Sequence, residues 1–320
     1  MYLIRLFSKS LNKTLILISF RSKKQVIKFL QEFKELETEL KLRGFSNQTI
    51  KTYIFQNQKF LDFVISSKTK AEYQKSLVST GSKRTPQDIT NKDLKAYFAF
   101  LLGDKGLSPA SVNLAISALK FFYLEVIKKD IFKEVKHPKP EKKLPVVLTK
   151  DEIKRMLEST KNKKHRLLIE LLYSTGLRVS EAVNIRIRDI NIDEKVAFVK
   201  YGKGKKERFV KLSNIFIQHY LSYLKRQKKK ETYLFSYKEK PLSPRQAQRI
   251  VKSAALRANI TKKVFCHALR SSFATHLLDS GTDIRLIQEI LGHSNLATTQ
   301  KYTKVSKERL MQVKNPLDSL

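Results

Sequence analysis

The chain has 320 residues, and 41% of them are hydrophobic, which is enough apolar material for a buried core. Its 65 lysines and arginines outnumber 29 aspartates and glutamates, giving a net charge of +36. Such an excess favours a polyanionic partner such as nucleic acid, because each neutralised phosphate releases bound counterions. A single cysteine, Cys266, excludes an intramolecular disulfide and predicts a reducing, cytoplasmic compartment. No apolar run reaches the roughly 20 residues that a bilayer-spanning helix needs.

The first half of the chain is predicted to be helical. Residues 1–23 are interpreted as an added strand or a leader of uncertain order, since no signal-peptide cleavage site follows their short apolar run. From residue 24 to residue 136 apolar residues recur at helical spacing and predict one domain. Within it, the polar stretch 66–87 is the most loop-like part. The predicted helices begin at or after Lys24, Ser46, Thr90 and Ser108.

Two of these helix starts share one pattern, a glycine, an apolar residue and a capping serine, in residues 44–50 and 106–112. Helix N-termini favour phosphate through their free N–H groups and the helix dipole. Two ordinary capped helices would also explain the pattern. With the high positive charge, we predict that both N-termini face DNA. The predicted contact residues are Ser46, Asn47, Gln48, Ser108 and Ser111.

Residues 137–145 contain three prolines and three lysines and predict an extended linker. A second domain, residues 146–320, follows. Two strands, Lys195–Lys200 and Glu207–Leu212, are predicted around a turn at Gly202-Lys203-Gly204. The other segments are predicted to be helices that begin at or after Thr149, Lys164, Arg178, Ile215, Ser243, Cys266, Asp283 and Ser294. The whole chain is therefore predicted to be mainly α, with an α+β second domain that contains a small β-hairpin.

The C-terminal stretch carries residue types suited to phosphodiester chemistry. His267 and Arg270 lie three apart and share a helix face, and a guanidinium can hold two phosphate oxygens. His293 follows Gly292 at the predicted end of an apolar helix. Tyr302 could attack a phosphate, although its phenol has a pKa of about 10 and needs nearby cations to ionise. Arg178, Arg270 and a protonated His267 would provide them.

Two upstream segments add to this set. Arg178 follows a predicted helix end, and Glu181 could orient it by a paired hydrogen bond. Lys203 lies between glycines and could donate a proton to a leaving 5′ oxygen. Each of these residues, taken singly, has an ordinary structural explanation in so basic a chain.

The same stretch contains residues that suggest two other chemistries, a thiol nucleophile and a metal site. Cys266 directly precedes His267, but a buried structural cysteine is the preferred interpretation over a thiol nucleophile. A metal site built from His267, His276 and His293 is rejected, because no acidic or thiolate ligand joins them at zinc-like spacing.

Taken together, these motifs resemble the catalytic signature of the tyrosine recombinases. Thr175–Glu181, Gly202–Arg208, His267–Arg270, Leu291–His293 and Tyr302 match it in residue type, order and spacing. The Xer branch is the most similar, through Leu144-Pro145 and the segment His267–Leu278. The resemblance covers residues 24–320, and residues 1–23 and 66–87 exceed the compact Xer pattern.

The resemblance implies a fold, a mechanism and an assembly. The fold would be an N-terminal four-helix, SAM-like core-binding domain and a catalytic domain, clamped around DNA like a C. Tyr302 would form a 3′-phosphotyrosyl bond and release a 5′-hydroxyl, with neither ATP nor a metal ion. Four protomers, of one kind or with a second recombinase, would act on two inverted-repeat sites. The segment near 310–320 would dock on a neighbouring protomer. A DNA translocase is a possible regulator. The implied roles are phosphate stabilisation for Arg178, Arg270, His267 and His293, acid catalysis for Lys203, and support for Glu181.

Several functions remain open at this stage. The preferred one is Xer-type resolution of chromosome dimers by a nucleoid-associated enzyme. The alternatives are an integrase or excisionase of a mobile element, a type IB topoisomerase and a non-catalytic DNA-binding protein, which the intact residue set disfavours. The target sequence does not follow from the chain. Besides the two helix starts above, the candidates for DNA contact are Arg245, Gln246 and Arg249.

Overall fold

The structure is a computed structural model that describes residues 2–3, 19–20, 23–65, 86–139, 145–200, 207–226, 231–237, 239–292 and 315–320. The chain divides into two compact units, Met1–Lys142 and Lys143–Leu320. Helices dominate both units, and the predicted fold class, mainly α with an α+β second domain, is confirmed.

Four helices form the described part of the first unit. Two short antiparallel strands in the leader, β1 (Tyr2–Leu3) and β2 (Ser19–Phe20), pair with each other. The helices are α1 (Lys23–Leu42), α2 (Asn47–Ile65), α3 (Asn91–Leu102) and α4 (Pro109–Phe121), with a 3-10 turn at Pro86–Asp88 and a π turn at Phe122–Val126. All four predicted helices are therefore present. Residues 66–85 of the predicted loop lie outside the described residues.

The repeated glycine–serine pattern gives the same geometry twice. Gly44 and Gly106 have φ values of +71° and +57°, the left-handed region that glycine adopts readily. The Ser46 hydroxyl accepts the backbone N–H of Thr49 at 3.1 Å, and that of Ser108 accepts Ser111 N–H at 3.4 Å. The predicted serine caps of α2 and α4 are thus confirmed.

Helices α2 and α4 pack side by side and build the core of the first unit. Asn57 is fully buried at their contact, where its Nδ2 donates to the carbonyls of Tyr53 and Ala118 at 2.9 and 3.1 Å. These bonds satisfy the N–H donors of the amide and offset part of the cost of burying it. Among the largest fully buried side chains of this unit are four aromatic residues: Phe60, Tyr97, Phe122 and Tyr123.

The described part of the second unit is a group of helices with two small antiparallel sheets. Its helices are α5 (Lys150–Glu158), α6 (Lys163–Thr175), α7 (Val179–Val183), α8 (Asn214–Leu224), α9 (Pro244–Arg257), α10 (Cys266–Asp279) and α11 (Ile284–Leu291). Thr149 and Glu152 form a capping box at the start of α5. The helix predicted from Ser294 lies outside the described residues.

Between α7 and α8 the chain forms an antiparallel sheet with the strand order β3-β4-β5. Its strands are β3 (Ile190–Asn191), β4 (Val196–Val199) and β5 (Arg208–Lys211). The two predicted strands are confirmed, whereas β3 was missed because two residues carry no detectable alternation. The hairpin turn with Lys203 lies outside the described residues. A further pair of strands, β6 (Ser236–Tyr237) and β7 (Lys240–Pro241), was also not predicted.

Helix α6 is the centre of the second unit. Every residue from Leu167 to Thr175 is buried, and neighbouring elements, α10 above all, surround the helix. It ends at Gly176, whose φ is +61°. A Cβ atom at Gly176 would lie 2.6 Å from side-chain carbons of Leu291 and Phe273. Only glycine fits here, so the chain can turn from α6 into α7 close against α10 and α11.

The C-terminal residues 315–320 pack on their own unit. Leu317, in a 3-10 turn at Pro316–Ser319, is 1% exposed and contacts the core. Asn315 Nδ2 donates to the carbonyl of Ser174 at 2.8 Å, and Asp318 Oδ1 accepts the N–H of Ile215 at 3.2 Å. The family resemblance predicted this segment on a neighbouring protomer. In the single chain residues 315–320 pack on their own unit, and docking on a neighbouring protomer stays a prediction.

In the described parts of the chain, no helix combines the length and the hydrophobicity needed to cross a membrane.

Candidate active site

The turn that follows α6 places Arg178 at the surface of the second unit. Arg178 is the N-cap residue of α7, and its backbone N–H donates to Glu181 Oε2 at 2.9 Å. Its Nη1 donates to Glu181 Oε1 at 3.0 Å, and its Nη2 donates to the carbonyl of Gly292 at 3.0 Å. The expected contact between Glu181 and Arg178 is present. The guanidinium is thereby held in one orientation while 27% of the side chain stays exposed.

Arg270 lies in the first turns of α10 and is 3% exposed. Its Nη1 donates to the carbonyl of Gly176 at 2.6 Å and its Nη2 to that of Leu291 at 2.7 Å. Burial, followed by repulsion from Arg178, lowers the pKa of Arg270 to about 10. The side chain therefore still carries its charge at neutral pH, and it is fixed by two backbone carbonyls.

His267 precedes Arg270 by one turn and lies at the surface. Its ring stacks on Phe265, with centroids 6.5 Å apart and planes at 9°. Partial burial, and after it the charges of Arg270 and Arg178, lower the pKa of His267 below its ordinary value. The lowered pKa favours the neutral imidazole at pH 7. A protonated His267 beside the phenol of Tyr302 stays a prediction.

Arg208 is a member of this cluster that was not assigned from the sequence. It opens β5, and its Nη1 and Nη2 donate to Oε1 and Oε2 of Glu181 at 3.1 and 2.9 Å. Arginine forks bind both oxygens of a carboxylate in this manner. Arg208 ends the Gly202–Arg208 motif, but the sequence assigned it no role, because one more arginine in a chain of net charge +36 does not stand out.

Glu181 is therefore a buried carboxylate shared by two arginines. Its side chain is 2% exposed. Burial by itself would raise the pKa of Glu181, but the hydrogen bonds and charges of Arg208 and Arg178 outweigh burial and hold the pKa below its ordinary value. The carboxylate stays ionised and offsets part of the positive charge of the cluster.

The structure brings together Arg178, Glu181, Arg208, His267 and Arg270. The predicted residues Lys203, His293 and Tyr302 lie outside the described residues. His293 directly follows Gly292 in sequence, and Gly292 ends α11 with a φ of +65°, as predicted for a glycine at a helix C-terminus.

The other reactive groups near this stretch have structural roles. Cys266 is buried, and burial raises the pKa of its thiol to about 11, so it is not a thiolate at neutral pH. This agrees with the preferred interpretation as a core residue. His276 is buried, and its Nδ1 lies 2.9 Å from the hydroxyl of Tyr173. Within the described ranges, no cluster of His, Cys, Asp or Glu side chains is arranged to hold a metal ion.

The residues predicted to contact DNA lie at helix starts. Ser46, Asn47 and Gln48 are exposed at the start of α2, and Ser108 and Ser111 are exposed at the start of α4. Arg245 and Arg249 are exposed one turn apart on α9. The side-chain oxygen of Gln246 accepts the Ser243 N–H at 2.8 Å and closes a capping box, so the amide of Gln246 already has a structural role.

Comparison with known proteins identifies the group to which this chain belongs. The phage integrase family model matches residues 146–309, and a phage integrase N-terminal SAM-like domain matches residues 32–133. The tyrosine recombinase XerA of Pyrococcus horikoshii is 37% identical over 87% of this chain and 90% of its own length. The tyrosine recombinase XerD of Oceanobacillus iheyensis is 33% identical over 84% of this chain and 91% of its own length.

Among solved structures, the XerH site-specific recombinase bound to its difH substrate is 25% identical, with a TM-score of 0.63. That comparison covers 86% of this chain and 84% of XerH. The chain belongs to the phage integrase family of tyrosine recombinases, on its Xer-like branch. The predicted enzyme class, a site-specific recombinase, is confirmed by this membership.

Proposed function

We propose that the second unit cleaves and rejoins DNA through Tyr302. The observation that carries the proposal is the pair Arg178 and Arg270, two guanidinium groups fixed by backbone carbonyls beside His267. In sequence, Lys203, His293 and Tyr302 complete the residue set of the family that the chain belongs to.

The two arginines are the proposed phosphate clamp. A guanidinium carries five N–H donors. The contacts with described residues use two N–H groups on each arginine, and the remaining N–H groups are the donors proposed for the non-bridging oxygens of the scissile phosphate. Fixed donors of this kind stabilise the charge that develops on a pentavalent phosphate without further reorganisation.

The proposed reaction conserves the phosphodiester energy. Tyr302 loses its phenolic proton to solvent, its oxygen attacks phosphorus, and the bond from phosphorus to the 5′ oxygen breaks. Lys203 donates a proton to that leaving oxygen, which becomes a 5′-hydroxyl. His267 and His293 hydrogen-bond the phosphate. The 3′-phosphotyrosyl bond is then attacked by the 5′-hydroxyl of another strand, which releases Tyr302 and joins the new strands, so no ATP is consumed.

DNA is the proposed partner of the whole chain. The net charge of +36 supports it, and so does the XerH structure, which holds its DNA substrate. Ser46, Ser108, Arg245 and Arg249 with their neighbours are the proposed contact residues. We infer a tetramer on two inverted-repeat sites, of one protein or of two recombinases, that passes through a Holliday junction. In that assembly the C-terminal segment would leave its own unit and dock on a neighbour.

The proposed biological role is Xer-type resolution of chromosome dimers in the cytoplasm, at the nucleoid, with a DNA translocase as a candidate regulator. The support is the similarity to proteins named XerA and XerD over most of the chain. Integration or excision of a mobile element uses the same chemistry and is the alternative role.

Covalent capture tests the proposed chemistry. Genomic fragments that remain attached to the protein after denaturation would first identify its site, which would then be built into a duplex with a nick beside the cleavage point. Wild-type protein is expected to give a covalent DNA–protein band on a denaturing gel, because the nicked fragment diffuses away before religation. Tyr302→Phe is expected to abolish the band, since it removes only the attacking hydroxyl.

Tyr237→Phe is the matched control, because Tyr237 is an exposed tyrosine of the same unit, and it should leave the band intact. A wild-type protein that forms no band on its own site, or a band that survives Tyr302→Phe, would contradict the proposal.

A further inference from the structure

Three arginines converge on the C-terminal end of α11. Arg208 Nε donates to the carbonyl of Ile290 at 3.1 Å, next to the bonds that Arg270 and Arg178 make to Leu291 and Gly292. The last carbonyls of a helix lack partners within the helix and carry the negative end of its dipole. Guanidinium groups are therefore well suited to hold this end of the helix in place.

Arg208 differs from the other two arginines in its other contacts. Its side chain is 15% exposed, compared with 27% for Arg178, and its two terminal nitrogens both bind Glu181. All three of its guanidinium nitrogens thus have acceptors within the protein. Arg208 has few donors left for DNA, and it links β5, α7 and α11 through one planar group.

Glu181 connects Arg208 to Arg178 through hydrogen bonds to both. Each oxygen of Glu181 accepts one bond from Arg208 and one from Arg178. Without the fork of Arg208, the carboxylate could rotate about its side-chain bonds, and the Nη1 atom of Arg178 would follow it. The free N–H groups of Arg178 would then be displaced from the phosphate.

We propose that Arg208 is a positioning residue for DNA cleavage, which locks Glu181 and the end of α11 so that Arg178 presents its free donors to the scissile phosphate. The proposal rests on the proposed function. A displacement of about 1 Å in such a site can slow the chemical step on the order of 10²-fold. Lysine at this position would keep the charge but could not span both carboxylate oxygens and the Ile290 carbonyl together.

Single-turnover cleavage of the nicked duplex at saturating protein separates positioning from folding. A partly unfolded variant lowers the final amount of covalent product, whereas a misplaced Arg178 lowers the rate constant of the molecules that react. Arg208→Ala is expected to lower the rate constant on the order of 10²-fold with DNA affinity within about twofold of wild type, and Arg208→Lys at least about tenfold. Arg166→Ala is the matched control, since Arg166 binds another buried carboxylate, Glu170, at 2.9 Å, and it should keep the wild-type rate constant.

A double-mutant comparison tests whether Arg208 acts through Glu181. In a Glu181→Gln background, Arg208→Ala should slow cleavage by less than about threefold, because the carboxylate that it positions is already gone. Independent effects that multiply in the double variant, or a wild-type rate constant for Arg208→Ala or Arg208→Lys, would overturn the proposal. If wild-type protein forms no covalent product at all, the proposed function fails instead, and the two failures are therefore distinguishable.

Discussion

At the scale of single residues, the candidate site depends on ionised groups held away from water. Glu181 is the clearest case, because a buried carboxylate without partners would take up a proton. Two arginines prevent this and keep it charged. In addition to burial, the charges of the same two arginines lower the pKa of Arg270. The properties of each residue in the cluster thus depend on residues from other elements.

This dependence predicts how stability changes with pH. The folded-state pKa of Glu181 lies below the ordinary value of 4.5, so its carboxylate contributes stability that is complete above that value and is lost as the pH falls through the folded pKa. Wild-type protein is therefore expected to melt at a higher temperature than Glu181→Gln at pH 7. The difference between the two melting temperatures should shrink as the pH falls from 5 to 3.

Thermal melts of both proteins across this range provide the measurement. Glu158→Gln is the control for the loss of an exposed carboxylate, because Glu158 is exposed on α5, and it should change the melting temperature at pH 7 much less than Glu181→Gln. A difference between wild type and Glu181→Gln that grows towards low pH would contradict the prediction.

At the scale of elements, a single turn joins the helices that carry the site. Gly176 ends α6 in the left-handed region, Arg178 is the N-cap residue of α7, and the carbonyl of Gly176 accepts a bond from Arg270. The side chains of Leu291 and Phe273 occupy the space where a Cβ would lie. The turn therefore sets the approach of α6 to both α10 and α11.

Gly176→Ala is predicted to be strongly destabilising. A left-handed alanine costs about 1–2 kcal/mol, and overpacking adds about 1–3 kcal/mol, so the expected loss in free energy of unfolding is about 2–5 kcal/mol. Gly281→Ala is the matched control, because Gly281 has a φ of +82° but no atom within 4 Å of the position that its Cβ would take. It should lose only the first contribution. Denaturant unfolding of both variants measures the difference, and equal losses would show that the contact with α10 and α11 is unimportant.

At the scale of the whole molecule, the net charge of +36 dominates. A chain with this excess repels itself when compact, and a polyanion relieves the repulsion. The candidate DNA-contact residues include uncharged side chains at helix starts and two exposed arginines. Contacts that read the base sequence and contacts that neutralise phosphates are therefore expected to involve different residues.

Affinity for DNA is therefore predicted to fall steeply with salt. If the chain neutralises at least about six phosphates, the slope of log K against log salt concentration should be about −5 or steeper, since each contact contributes about −0.9. Titrations of a duplex carrying the recombination site between low and physiological salt measure this slope. The same duplex with a scrambled sequence should give a similar slope at lower affinity, and a slope near zero would contradict charge-driven binding.

Much of the fold followed from local signals. Capping residues and apolar periodicity predicted α1 to α11, and alternation predicted β4 and β5, because these signals act within a few residues of the chain. The strands β3, β6 and β7 were missed, since two-residue strands exist only through their pairing partners. The domain limits at residues 136 and 146 stay predictions.

The same distinction between local signals and tertiary contacts holds for the candidate site. The sequence by itself determined the residue types and spacings that point to a recombinase: Arg178, Lys203, His267, Arg270, His293 and Tyr302. Only the tertiary structure decided that Arg208 joins Arg178 on Glu181, that Arg270 is buried against two carbonyls, and that the pKa of His267 lies below its ordinary value. These features arise from charges and backbone groups brought together from distant positions, and burial and electrostatic coupling of that kind leave no mark on the local sequence.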